Sequence, residues 1–257
     1  MPSTIMAYGL YISAEGAQAQ SVRLETLSNN IANASTPGFK RDLAVFEARY
    51  AEATARGQDY PGSHSRNDLG GGIQLAGTKT DFSPGPLKKT GNDTDLAIQG
   101  EGFFMVRRGE QNMLTRAGDF VFSPDGMLQT PDGYPVLSED GQPVQLDLNA
   151  GPVSVNASGT LQQANTNINL ALVRPKSLGD LAKAGENLFL PLAPVAALPP
   201  EQRQVAVGHV EQSAVKPAQE MMELIETSRV FEANVNMVRY QDQMLGTLIG
   251  RLMKSST

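Results

Sequence analysis

The chain has 257 residues, room for one large or two modest domains, and its 40% hydrophobic content is enough to build a core. A net charge of −6 withholds the basic face that nucleic-acid binding needs, and the absence of cysteine excludes disulfides, thiolate metal sites and a cysteine nucleophile. Aromatic residues are 6% with no tryptophan, thin for the aromatic walls of a small-molecule or sugar pocket.

The N-terminal stretch Met1 to Leu10 has neither a basic start nor a long apolar run, so it does not read as a secretory signal. No run of about 18 apolar residues occurs, so the expectation is no direct membrane insertion. Residues 3–34 lack proline and are rich in Ala, Gln, Glu and Leu. Within them Leu10, Ala17, Leu24 and Ile31 recur at a spacing of seven, with Leu27 and Ala34 on a neighbouring position. That pattern predicts an amphipathic helix of coiled-coil type. Thr36-Pro37-Gly38 stops it, because proline cannot continue a helix and glycine accepts positive φ. Asn29, Asn30 and Asn33 stand at its end and are expected to shape the exit of the chain.

Residues 39–95 read as an extended linker or hairpin region, with Gly70-Gly71-Gly72 and a polar run around His64. Residues 96–210 carry short apolar runs that read as strands: Phe103 to Val106, Asp119 to Phe122, and Leu188 to Leu190. Asp125-Gly126, Asp132-Gly133 and Asp140-Gly141 follow one another at seven or eight residues and predict tight turns between strands. From 211 to 257 the chain turns helical again. Leu224, Phe231, Val238, Leu245 and Leu252 lie seven apart, flanked by Met221, Val235 and Ile249, and Pro217 suits the first helical turn. The fold class expected is therefore α+β: coiled-coil helices at 1–38 and 211–257 flanking an inserted antiparallel, hairpin-rich β domain. Each stripe lacks a partner nearby in sequence, so the two ends must pair with each other, with other copies, or both.

Little catalytic chemistry is visible. His64 and His209 lack neighbours at metal-ligand spacing, and no nucleophile–base pair stands out. Asp93, Asp95, Asp119, Asp125, Asp132 and Asp140 do not follow a calcium-loop pattern and are better read as turn residues. Gly100-Glu101-Gly102 is followed by a strand rather than a helix and is a poor phosphate loop. The expectation is no enzyme, no cofactor and no metal. The alternative is an extracellular β-rich binding module, calcium-dependent in its sharpest form. The methionines 221, 222, 237, 244 and 253 would make a soft, adaptable helical surface.

One segment is recognisable as a whole. Leu27-Ser-Asn-Asn-Ile-Ala-Asn-Ala-Ser-Thr-Pro-Gly-Phe-Lys-Arg41 closely resembles the N-terminal signature of the flagellar basal-body rod and hook protein family. Ala97 to Val106, Leu114 to Leu137, and Gly208 to Met222 with the helix after it resemble further family segments, in family order. One departure is Ser213-Ala-Val-Lys216, where the family writes Ser-Asn-Val-Asn and offers an asparagine cap. The resemblance implies an inner tube of terminal helices, an outer β layer, and a periplasmic rod in the flagellar basal body. It implies export by the flagellar type III apparatus without a cleaved signal. The implied partners are further copies, other axial proteins of rod and hook, and the export apparatus. The length of 257 residues leaves little room for the extra outer domains of a hook protein and so favours a rod subunit, and the run Phe39 to Phe46 with the long linker after it resembles distal rod members more than proximal ones. The expected assembly interface is Leu10, Leu24, Leu27, Asn29, Asn30, Ile31 and Asn33, with Leu224, Phe231, Val235, Val238, Leu245, Ile249 and Leu252.

Overall fold

A computed structural model describes residues 3–50, 54, 56–57, 60, 62, 70–147, 150–151, 153–164 and 166–255. Helix α1 spans Ser3–Ala32 and helix α2 spans Pro217–Ser255. The strong helix formers of both segments favour this, and each end has a local cause. After α1 the Thr36 amide donates to the Asn33 carbonyl, and Gly38 sits at φ 67°, which suits a residue without Cβ. At the start of α2 the Lys216 carbonyl accepts from the Gln219 and Glu220 amides. Pro217 follows, where its missing N–H costs nothing.

The chain divides into two compact units. The first joins Met1–Ala32, Asp42–Lys79 and Lys216–Thr257. In it α1 packs against α2 and also against strand β1 (Asp42–Ala48), which pairs with β2 (Ile73–Thr80) in a two-stranded ribbon. Part of the segment that reads as an extended linker or hairpin is thus a two-stranded ribbon whose Leu43, Val45, Ile73 and Leu75 are exposed.

The second unit joins Asn33–Arg41 and Thr80–Val215. Its short strands are β3 (Leu87–Lys89), β4 (Leu96–Ile98), β5 (Phe103–Arg108), β6 (Gln111–Thr115), β7 (Val121–Phe122) and β8 (Leu128–Gln129). They continue with β9 (Ser154–Val155), β10 (Thr160–Gln163), β11 (Thr166–Asn169), β12 (Leu172–Arg174), β13 (Leu181–Lys183) and β14 (Leu188–Pro191). The last are β15 (Ala196–Ala197), β16 (Val205–Val207) and β17 (His209–Glu211). Six of them form one sheet in the order β13-β14-β6-β5-β12-β15, antiparallel at every pairing. Towards the end of the unit β16 pairs with β4 and β17 with β3, so residues distant in sequence close it.

The Asp-Gly pairs behave as the sequence predicts. The amides of Gly126, Gly133 and Gly141 donate to the carbonyls of Ser123, Thr130 and Ser138, each with positive φ, closing three successive turns. Around them one apolar core gathers Leu96, Phe104, Val106, Phe120, Leu128, Leu161, Leu172 and Leu188. Phe104 and Phe120 meet edge to face at 5.1 Å. The reading of an α+β chain holds: two long helices and a set of antiparallel strands.

Candidate assembly interface

The helices of the first unit meet in an antiparallel register set by a polar row. A Cβ added at Gly9 would lie 3.1 Å from the Gln241 amide nitrogen, and one at Gly16 would lie 3.3 Å from that of Asn234. Asn30 donates to the Glu220 carboxylate at 3.3 Å. Positions 9, 16 and 30 of α1 thus meet 241, 234 and 220 of α2, and each step of seven forwards is matched by seven backwards. The glycines leave room for amide side chains against the helix backbone, so the small residues of α1 select the register. Not every polar atom is matched. Among the described residues, Gln20 Oε1 and Gln241 Oε1 are buried without a donor. Each such group costs about 1–3 kcal/mol, so this pairing is specific rather than strong.

The β1–β2 ribbon is fastened to α1 at two places. At one, Asn30 donates to the Asp42 carbonyl and accepts from the Asp42 amide, both at 2.9 Å. At the other, Arg49 donates to Tyr11 and Glu15, each at 2.6 Å, with its guanidinium over the Tyr11 ring. The Glu15 hydrogen bond is the main cause that raises the Tyr11 phenol above its usual range. The lengths agree. From Glu15 to Asn30 a helix rises ~22 Å at 1.5 Å per residue, and from Asp42 to Arg49 a strand runs ~23 Å at 3.3 Å per residue.

Asn30 therefore joins α1, α2 and the ribbon while only 1% exposed, and Glu220 is equally buried. Asn30→Ala is expected to cost the helical unit about 1–3 kcal/mol, since it strands buried polar groups of Asp42 and Glu220. Thermal melting followed by far-ultraviolet circular dichroism checks this. A shift equivalent to under about 0.5 kcal/mol, the range of an ordinary surface substitution, would contradict the bridging role.

The predicted interface residues turn mostly inwards. Leu27 and Asn30 are buried, and Leu10, Leu24, Ile31 and Asn33 are half-buried, as are Leu224, Phe231, Val235, Val238 and Leu245. Asn29 and Ile249 are exposed. Leu252 belongs to α2, but its side chain lies outside the described residues, as does the whole of His64.

A second apolar row on α2 faces solvent. At about 100° per residue, Leu224, Val238 and Leu245 fall within about 40° of Phe231, whereas Val230, Met237, Met244 and Leu248 lie about 100–140° away. Those four side chains are 42–51% exposed, and Met222 and Tyr240 beside them are more so. The signal was present in sequence, since 230, 237 and 244 are also seven apart, but it runs alongside the stronger leucine ladder. Among the described residues no three His, Asp or Glu side chains come together as a metal site, and no helix is long and apolar enough to cross a membrane.

Comparison with known proteins bears on what such a surface is for. Three family descriptions match in chain order: "Flagella basal body rod protein" over residues 10–40, "Flagellar hook protein FlgE/F/G D1 domain" over 97–163, and "Flagellar basal body rod FlgEFG protein C-terminal" over 206–251. The flagellar basal-body rod protein FlgF of Caulobacter vibrioides is 34% identical, across 97% of this chain and 99% of that protein. FlgG of Buchnera aphidicola subsp. Schizaphis graminum is 34% identical, across 95% and 99%. FlgG of Bacillus subtilis is 28% identical, across 95% and 98%.

Proposed function

The chain belongs to the flagellar basal-body rod protein family, and from that premise we propose that it is a structural subunit of the rod which polymerises through the outward row of α2. The family is structural, and its place is the flagellar basal body. One observation carries the assembly reading: α2 is apolar on two faces, and α1 occupies only one of them. Burying a side chain such as Met or Leu is worth about 1.5–3 kcal/mol. Four or more of them in a row are a sound reason for a second copy to dock there, with the helices of neighbouring copies packing as a coiled coil. Such a contact joins unlike surfaces and extends as an open helical filament. Further partners are the axial proteins above and below it, and the export apparatus that delivers it.

Within the rod the proposal is the distal segment, on the strength of the run Phe39 to Phe46 and the long connection between β1 and β2. The FlgF relative, a proximal-type name matched across nearly the whole chain, favours the proximal segment as a second reading. Electron microscopy of basal bodies from cells lacking this chain separates them. A rod that stops short, with its inner part built, supports the distal reading. A rod missing from its inner part supports the proximal one, and a complete rod with hook overturns both.

A further inference from the structure

The second unit buries two cations against one carboxylate. Lys40, Arg116 and Glu211 are 2%, 5% and 1% exposed. The Lys40 ammonium donates to Glu211 Oε1 at 2.6 Å and to the Ser83 carbonyl at 2.9 Å. The Arg116 Nε lies 2.9 Å from Glu211 Oε2, while its terminal nitrogens donate to the carbonyls of Gly102 at 2.5 Å and Gly100 at 2.7 Å. The Gly85 amide donates to Glu211 Oε1 at 2.9 Å, and the Glu211 carbonyl accepts from the Gly38 amide at 2.7 Å. One residue at the end of β17 is thereby bonded to the turn after α1, to the stretch before β3 and to the segment after β6.

The balance of charge is uneven. Burial pulls the pKa of Lys40 and of Arg116 down, and the hydrogen bond and charge of Glu211 pull both back up. Asp81 is the other acid that acts on Lys40, but its side chain is 31% exposed and sits 3.7 Å from Arg41. Removing the acid from a buried ion pair costs far more than the intact pair contributes, because the partner is left charged without water. Here two partners would be left at once.

We propose that Glu211 is the closing residue of the β-rich unit. It comes latest in the chain of all the groups in the cluster, and its carboxylate is the buried acid that Lys40 and Arg116 share. The six-stranded sheet therefore holds its closed form only when residues 208–213 are seated. A chain that emerges N-terminus first keeps this unit open until position 211 can reach Lys40. The inference does not depend on rod assembly.

Hydrogen exchange with mass spectrometry on the full-length chain tests it. In Glu211→Gln, exchange in peptides covering 103–115 and 188–191 should quicken about a hundredfold to a thousandfold. In the double variant Lys40→Met with Glu211→Gln, one stranded cation is gone, and at least about tenfold of the protection should return. The proposal is overturned if exchange in the sheet stays within about threefold of the parent while only 38–41 and 208–213 change. It is equally overturned if the double variant is no better protected than Glu211→Gln. Should Glu211→Gln be recovered only unfolded, the double variant decides: an ordered sheet upholds the proposal and an unfolded one defeats it.

Discussion

Cells whose sole copy carries Met237→Glu together with Met244→Glu are expected to build no continuous rod and to be non-motile. The two methionines are each 51% exposed, lie seven residues apart, and sit in the outward row of α2 away from α1. In the isolated chain the change is mild. Glutamate is as good a helix former as methionine, and exposed substitutions usually stay within about 0.5 kcal/mol. In a copy-to-copy contact the same change puts two carboxylates where apolar side chains would meet, at a cost of several kcal/mol per contact. Purified protein should thus melt within about 2 °C of the parent, whereas motility plates and electron micrographs should show the loss. Normal rods with this pair would remove the outward row from the interface. Phe231→Ala gives the contrast. It faces inwards, so its main effect should be on melting of the purified chain, by about 3 kcal/mol at most because the site is only half-buried.

The second large effect is expected from Gly118→Ala. Leu96 and Gly118 are bonded through the Leu96 amide and the Gly118 carbonyl at 2.8 Å, and a Cβ on Gly118 would stand 1.6 Å from the Leu96 carbonyl oxygen. No rotamer relieves a clash between a Cβ and a backbone atom. Leu96 anchors the core and β4 pairs with β16, so a shift there must spread. The loss should exceed about 4 kcal/mol, an exceptional value for a single methyl group, and should appear as unfolding of the β-rich unit in urea titrations. Gly141→Ala is the control. Its φ of 73° disfavours a side chain, but nothing lies within 4 Å of the added Cβ, so the cost should be about 1 kcal/mol. Equal stabilities for the two variants would show that the close approach of residues 96 and 118 is not real.

What the sequence disclosed follows from the range of the forces involved. The Asp-Gly turns were readable because a turn is made by four consecutive residues. The strands at Phe103 and Leu188 were readable from apolar runs bounded by such turns, although Asp119 to Phe122 contributes only the two-residue β7. The helices were readable from spacing. Which of their faces looks inwards was not, because α2 repeats apolar residues at seven along two lines, and only the glycines and amides facing α1 decide between them. The ribbon was legible only as linker or hairpin because its alternation at Leu43 and Val45 leaves both side chains exposed, so no buried face announced its strands. The cluster at Glu211 was beyond reach. Lys40 and Glu211 are 171 positions apart, and each by itself is an ordinary charged residue in a polar motif.

The row of glycines and amides between α1 and α2 bears on what happens when many identical helices are crowded together. A seam of leucines alone would tolerate sliding by one heptad. Here a slipped helix takes the Glu220 carboxylate away from Asn30 and moves the Gln241 and Asn234 amides off Gly9 and Gly16. Slippage is thereby disfavoured, and whichever copies meet, their helices are held to one alignment.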